Sequence, residues 1–178
     1  MELIAEPLPG VKILLPFVFE DARGNFVKTF HEGQLATHGI RMSVKEEFFS
    51  TSEAGVLRGM HFQVPPNAHQ KMVYCITGCV MDVLLDLRKD SPTFGQAVSF
   101  ELSAANRHVV YIPRGIAHGF LAKEPKSCLV YKTDAVHAPT HDTGIHWASF
   151  GFDWQVKGPV ISPRDVAFGP LAAFDSPF

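Results

Sequence analysis

The segment from Lys71 to Lys123, KMVYCITGCVMDVLLDLRKDSPTFGQAVSFELSAANRHVVYIPRGIAHGFLAK, carries the clearest pattern in this chain of 178 residues. Its short runs of Val, Ile, Leu and Phe are separated by turn signals at intervals of about ten residues, a spacing typical of β-sandwiches and barrels. The turn signals are Gly78, RKDSPTFG (88–95), SAANR (103–107) and PRG (113–115). We therefore predict an all-β fold, closest to a double-sheet jelly roll.

The sequence on either side of this segment extends the same pattern. The one candidate helix is EGQLATHG, from Glu32 to Gly39, because it ends in glycine. Further strands are predicted in VKILLPFVFED (11–21), NFVKTF (25–30), SVKEEFFSTSEAG (43–55) and VLRGMHFQ (56–63). The proline-rich tail after Trp154 is expected to lie over the surface of the barrel. Because there is no repeat, low-complexity tract or linker, residues 1–178 are predicted to form one domain.

Composition excludes several classes of partner. Apolar residues make up 46% of the chain and charged residues 19%, which is typical of a globular protein. The formal net charge is −2 and no basic run occurs, so we expect neither nucleic acid nor a membrane surface as a partner. A small anionic ligand stays open, because a few well-placed arginines and lysines can bind it. No apolar run approaches the roughly 20 residues of a membrane span.

Cysteine usage and the N-terminus indicate the compartment. The three cysteines, Cys75, Cys79 and Cys128, are odd in number and lack the close spacing of a metal site. Reduced thiols are the simpler interpretation. The N-terminal stretch MELIAEPLPGVKILLPF has no basic region followed by an apolar one, so it does not resemble a signal peptide. A cytoplasmic location is predicted.

The stretch VLRGMHFQ holds the first candidates for chemistry. In an extended strand, His61 and Gln63 share a face, whereas Arg58 points to the opposite face unless a bulge re-aims it. Lys71 begins the next strand, which can pair beside the first and bring its ammonium group into the same cavity. A buried lysine is costly unless it meets an anion or a developing negative charge. This combination favours a site that handles negative charge.

Two further residues could complete an acid–base site. Asp165, in the tail, is either a solvated turn residue or a hydrogen-bond partner of His61, which would orient the ring and raise its basicity. Tyr131 is either a core residue or a phenol that donates a proton into a cavity. Asp82 and Asp86 alternate along one strand and therefore share a face.

A metal site is the alternative interpretation. His118 follows a Pro-x-Gly turn, a place where cupin barrels commonly put a histidine that points inward. With His61, Gln63 and His69 it could hold Fe(II), Mn or Ni, which would make the protein a metal-dependent cupin enzyme, an oxygenase or an isomerase. Against this, the first cupin motif normally has H-x-H followed by Glu, and this sequence has His61-Phe62-Gln63 with no nearby carboxylate.

Several segments resemble the nucleotide-sugar 3,5-epimerases typified by dTDP-4-dehydrorhamnose 3,5-epimerase. The similarity extends in family order from about residue 8 to residue 168. The matching segments are DARGNF, VLRGMHFQ, KMVYCITGCVMDVLLDLRKDSPTFG, LSAANRHVVYIPRGIAHGF, VYKT and ISPRD. The resemblance implies a cupin-like jelly roll with short peripheral helices, a homodimer that exchanges N-terminal strands, and an isomerase that uses neither metal nor cofactor.

The resemblance also implies a role for each candidate. His61 would abstract a proton from the carbon next to the C4 ketone of a nucleotide-linked 4-keto-6-deoxy sugar, with Asp165 as its partner. Lys71 would stabilise the enolate oxygen, and Tyr131 would return a proton from the opposite face. Epimerisation at C3, C5 or both would follow. The residues matched to substrate contacts are Arg23, offered by the partner subunit, Arg58, Gln63, His69, Asp82, His118 and Arg164.

The sequence also departs from typical rhamnose-pathway members. They have Gln in place of His69, a Q-x-N-like stretch in place of EEFFS (46–50), an acidic residue in place of Lys28, and two tyrosines in place of Val136 and His137. These differences leave the nucleotide, the sugar and the number of inverted centres open. A sugar-binding cupin without activity would keep the pocket, but binding alone does not need a set of acid and base groups.

Overall fold

The computed structural model describes all of residues 1–178, which form thirteen strands and little helix. The strands are β1 (Glu2–Ala5), β2 (Lys12–Leu15), β3 (Phe17–Asp21), β4 (Gly24–Lys28), β5 (Glu46–Ser52), β6 (Leu57–Gln63), β7 (Lys71–Thr77), β8 (Cys79–Asp86), β9 (Ala97–Ser103), β10 (Val109–Ile112), β11 (Ile116–Ala122), β12 (Ser127–Thr133) and β13 (Asp142–Gly144). The helices are α1 (Glu32–Thr37) and α2 (Pro163–Val166), followed by a 3-10 turn at Leu171–Ala173. The all-β prediction is confirmed, and no helix is long and apolar enough to span a bilayer.

Two antiparallel sheets face each other. One has six strands in the order β1-β2-β10-β7-β12-β5, and the other has five in the order β13-β6-β11-β8-β9. The apolar core between them takes side chains from both, among them Val73 and Leu129 from the first and Leu84 and Phe120 from the second. This is the double-sheet arrangement that alternating strands and frequent turns favour.

The outer face of each sheet is covered by a different part of the chain. Leu35 of α1 packs with Leu14 and Met72 on the six-stranded sheet. The tail packs Trp154 and other aromatic side chains on the five-stranded sheet, so it does lie over the barrel surface. Burial of both faces explains why β8 is apolar along nearly its whole length.

Two local predictions are wrong. The stretch 11–21 forms two strands, β2 and β3, because Pro16 interrupts the pairing and cannot donate a ladder hydrogen bond. Strand β7 does not pair beside β6, since the two strands belong to opposite sheets. The connection at 64–70 crosses between the sheets, so Lys71 faces His61 from across the interior.

Candidate active site

A cavity of about 400 Å³ opens between the two sheets. It is lined by side chains from both, so the groups on β6 and β11 face those on β5, β7 and β12. Of the candidates singled out in the sequence, the lining includes Arg58, His61, Gln63, His69, Lys71, His118, Tyr131 and Arg164. Asp82 and Asp165 lie behind the lining, each bonded to one of its histidines. Arg23 lies elsewhere.

A bulge in β6 brings Arg58 and His61 to the same face. His61 pairs with His118 of β11, and Arg58 pairs with Phe120, so β6 has one more residue than β11 between these pairs. An extra residue reverses the alternation of side chains along a strand. Both side chains therefore enter the cavity.

His61 and Asp165 form a hydrogen-bonded pair although 104 residues separate them in sequence. His61 Nε2 lies 2.9 Å from Asp165 Oδ1, and the Gly59 amide donates to Asp165 Oδ2 at 3.0 Å. The Ser162 side chain caps α2 and fixes the Asp165 backbone. With Nε2 occupied by Asp165, Nδ1 is the ring nitrogen left to accept a proton.

Burial and hydrogen bonding oppose each other in setting the pKa of each residue of this pair. Burial lowers the pKa of His61 below its usual value, and the interaction with Asp165 offsets only part of that effect. Burial would raise the pKa of the Asp165 carboxyl, but hydrogen bonds from His61 and Gly59 outweigh it and lower the pKa. At neutral pH the pair is thus a neutral imidazole held by a carboxylate, the state that a general base needs.

Lys71 extends across the interior to the His61 side of the cavity. Its Nζ donates to the His61 carbonyl at 3.0 Å, and the residue is only 8% exposed. Burial lowers the pKa of Lys71 to about 8, although the charges of Asp142 and Asp82 oppose this shift. A lysine so poorly solvated gains free energy when negative charge develops on a bound ligand.

Tyr131 stands on the opposing sheet. Its ring stacks on Phe48, the residue opposite it on β5, with centroids 4.8 Å apart. The phenol oxygen lies 3.3 Å from Ser50 Oγ. Burial raises the pKa of Tyr131, so the phenol keeps its proton at neutral pH and can act as a donor into the cavity.

A second buried histidine–aspartate pair lies deeper in the site. His118 Nε2 lies 2.7 Å from Asp82 Oδ2, and both residues are almost fully buried. Burial raises the pKa of the Asp82 carboxyl, against the opposing influence of His118 and Lys71. The ring of His118 meets that of Tyr131 edge to face at 6.0 Å. Asp82 therefore holds His118 in place, and His118 in turn packs against the ring of Tyr131.

The metal interpretation is not favoured by these contacts. The Gln63 amide is fully engaged, because Nε2 donates to the Asn67 carbonyl at 2.8 Å and Oε1 accepts from the Ala138 amide at 2.7 Å. His61 and His118 each give Nε2 to a carboxylate. No group of three or more His, Cys, Asp and Glu side chains is arranged to hold a metal ion.

A polar cluster at the mouth of the cavity contains Asp142, which the sequence pattern did not indicate. Asp142 Oδ2 accepts from Arg164 at 2.7 Å and lies 3.1 Å from His137 Nε2. Glu46 accepts from the His137 amide at 2.6 Å. Asp142 belongs to the short strand β13, whose polar sequence is typical of a loop. Its pairing with Gln63 of β6 is what brings it to the cavity.

Arg23 lies outside this cavity. It occupies the tip of the β3–β4 hairpin, its side chain is 85% exposed, and its ion-pair partner is Asp21. The two strands of this hairpin pair only with each other. Within one chain, Arg23 is therefore not part of the site.

Comparisons with known proteins agree on one enzyme family. The family model described as dTDP-4-dehydrorhamnose 3,5-epimerase matches residues 5–173. The enzyme of that name from Shigella flexneri is 38% identical over 169 residues, which is 93% of each chain. The crystal structure of the Bacillus anthracis dTDP-4-dehydrorhamnose 3,5-epimerase with TDP and PPi bound is 36% identical, with a TM-score of 0.93 over 96% of this chain and 99% of that one.

A second solved structure carries a sugar ligand. It is the dTDP-6-deoxy-D-glucose-3,5-epimerase from Legionella pneumophila in complex with dTDP-4-keto-L-rhamnose. Its identity to this chain is 34% and its TM-score is 0.92, over 98% of this chain and 94% of that one.

Proposed function

This chain belongs to the dTDP-4-dehydrorhamnose 3,5-epimerase family, and we propose that His61, Lys71 and Tyr131 carry out its epimerisation with Asp165 as the orienting partner. The protein is an isomerase that epimerises a dTDP-linked keto sugar. The assignment of roles rests on one observation, the hydrogen bond of 2.9 Å between His61 Nε2 and Asp165 Oδ1 at the wall of the cavity.

The first step is removal of a proton from a carbon next to the C4 ketone. His61 Nδ1 accepts it, because Nε2 is already bonded to Asp165. The electron pair left behind moves to the C4 oxygen, which becomes an enolate. Lys71 Nζ has two N–H groups beyond the one given to the His61 carbonyl, and these stabilise the oxygen.

The second step returns a proton to the same carbon from the opposite face. Tyr131 is on the other sheet from His61, and its phenol is protonated at neutral pH. Proton transfer from Tyr131 to the carbon re-forms the C4 ketone and inverts the centre. Solvent then protonates the phenolate, and His61 releases its proton to solvent, so that both groups return to their starting states.

The binding of the nucleotide diphosphate is assigned to arginines. Arg58 and Arg164 line the cavity, and guanidinium groups match phosphate oxygens in charge and geometry. Arg23 is assigned to the same role in the site of a partner subunit. It lies at the tip of the β3–β4 hairpin, whose two strands pair with no other strand of their own chain. We propose a homodimer in which this hairpin is exchanged, with Phe17, Phe19 and Phe26, each at least 50% exposed, covered by the partner.

The cytoplasm is the compartment that fits the cysteines. Cys75, Cys79 and Cys128 are all free thiols, and Cys75 and Cys79 are buried. Free thiols persist where the environment is reducing. We therefore propose that the enzyme acts in the cytoplasm.

The experiment that tests the function is incubation with dTDP-4-keto-6-deoxyglucose in D₂O, followed by NMR and mass spectrometry. We expect deuterium at C3, C5 or both, and the configuration of each labelled carbon, determined by NMR, counts the inverted centres. His61→Ala should lower the rate of uptake by about 10²- to 10⁴-fold, as removal of a general base does. His141→Ala, which changes a histidine outside the cavity lining, is the matched control. A His61→Ala enzyme with the wild-type rate would contradict the assignment.

A further inference from the structure

His69 differs from the other histidines of the cavity because its Nε2 atom has no hydrogen-bond partner in the protein and its ring bonds to no side chain. Its Nδ1 is buried and faces the backbone of Asn67. The other three each bind an aspartate through Nε2: His61 with Asp165, His118 with Asp82, and His137 with Asp142.

The open Nε2 atom of His69 points to a ligand. The polar groups that line a cavity without a protein partner are the ones that can fix the orientation of a bound molecule. His69 lines the cavity, and the backbone of Asn67 interacts with its ring from the protein side. Nε2, the nitrogen that is not buried, is thus the one open to a molecule in the cavity.

The charge state of His69 limits what it can bind. Burial and the nearby charge of Lys71 lower the pKa of His69 to about 3, so the ring is neutral in the working range of pH. A neutral imidazole offers one donor and one acceptor. Phosphate oxygens are better served by charged donors such as Arg58 and Arg164, and a ketone oxygen by Lys71. A hydroxyl group, which both donates and accepts, matches either tautomer of His69.

The position of Lys71 indicates which hydroxyl group of the sugar His69 binds. Lys71 lies two residues after His69 and enters the same cavity, and under the proposed function it binds the C4 oxygen. The hydroxyl group next to that oxygen is the one on C3. Resting on the proposed function, we propose that His69 Nε2 binds the C3 hydroxyl of the substrate and makes the enzyme selective for sugars that carry it.

The test compares three substrates with three forms of the full-length enzyme. The substrates are dTDP-4-keto-6-deoxyglucose, its 3-deoxy analogue and its 2-deoxy analogue, and the readout is kcat/KM for deuterium uptake from D₂O at C3 and C5. The enzymes are the wild type, His69→Ala and His69→Gln. Comparing enzymes on each substrate cancels differences in the intrinsic acidity of the three sugars.

We expect His69→Ala to lower kcat/KM by about 10- to 100-fold for the two substrates that have the C3 hydroxyl, and to leave the 3-deoxy analogue nearly unchanged. His69→Gln should retain most of the preference, because its amide also donates and accepts. An equal loss for all three substrates would indicate a structural role and overturn the inference. A loss confined to substrates with a C2 hydroxyl would overturn the assignment to C3. If the wild type exchanged no proton in any substrate, the proposed function itself would fail, and this inference with it.

Discussion

Under the proposed mechanism His61 must be neutral and Lys71 must be positively charged, and this sets a pH window for the reaction. The base must be neutral, and burial keeps the pKa of His61 below its usual value, so activity should fall only as pH drops below that usual value. The enolate stabiliser must be charged, and the pKa of Lys71 is about 8, so activity should fall again as pH rises through about 8. We predict a bell-shaped profile of kcat/KM with its alkaline limb near that value.

The lysine limb can be assigned with one substitution. Lys71→Arg keeps a positive charge at every accessible pH, because a guanidinium does not titrate there. Its overall rate should be lower, since the longer planar group fits the pocket differently, but the alkaline limb should disappear. An alkaline limb that stays near pH 8 in this variant would show that another group causes it.

Tyr131 is predicted to control inversion and not proton removal. Tyr131→Phe keeps the ring that stacks on Phe48 and removes only the phenol oxygen. His61 can still remove a proton, exchange it with solvent and return deuterium to the same face. We expect exchange into unreacted substrate to continue while formation of the epimer falls by about 100-fold or more. The measurement is NMR in D₂O, which separates labelled substrate from labelled product. Equal loss of exchange and inversion would contradict this separation of roles.

The bulge in β6 is the element that shapes the site, and it depends on a close approach to β11. A Cβ added at Gly119 would lie 2.6 Å from Met60 Sδ and 2.9 Å from the Arg58 carbonyl, so Gly119→Ala must push the strands apart. We expect a loss of about 1–3 kcal/mol in the free energy of unfolding, as for other overpacked interiors, and a fall in activity because Arg58 and His61 move. Gly169→Ala, with open space around the added Cβ, is the control. Thermal and urea unfolding of the two variants give the comparison, and equal stabilities would contradict it.

How far the sequence predicts these elements depends on the range of the interaction. Turns at Gly78 and at 113–115 depend on neighbouring residues, and the structure has strands ending and beginning there. The bulge depends on the partner strand, so the pattern VLRGMHFQ predicts the face of Gln63 but not that of Arg58. The contact of Asp165 with His61 joins residues 104 positions apart, and local pattern could raise it only as one of two alternatives.

At the scale of the whole molecule, the proposed site requires Arg23 from a second chain. The β3–β4 hairpin leaves three phenylalanines exposed and pairs with no other strand of its own chain. We therefore predict a dimer by sedimentation analysis, with Arg23→Ala weakening binding of dTDP. A monomer at concentrations where the enzyme is active would contradict exchange of the hairpin.

Two weak enzymes should combine into an active one if Arg23 acts on the partner's site. In a heterodimer of Arg23→Ala and His61→Ala chains, the Arg23→Ala chain contributes an intact His61 and receives an intact Arg23 from its partner. That site is complete, whereas the other lacks both residues. We expect doubly tagged, co-expressed heterodimers to show about half the activity of the wild-type dimer, far above either parent. If Arg23 instead served its own chain, each site of the heterodimer would lack one residue. The heterodimer would then be no more active than the mean of its parents, so the same measurement decides between a site built by one chain and a site shared by two.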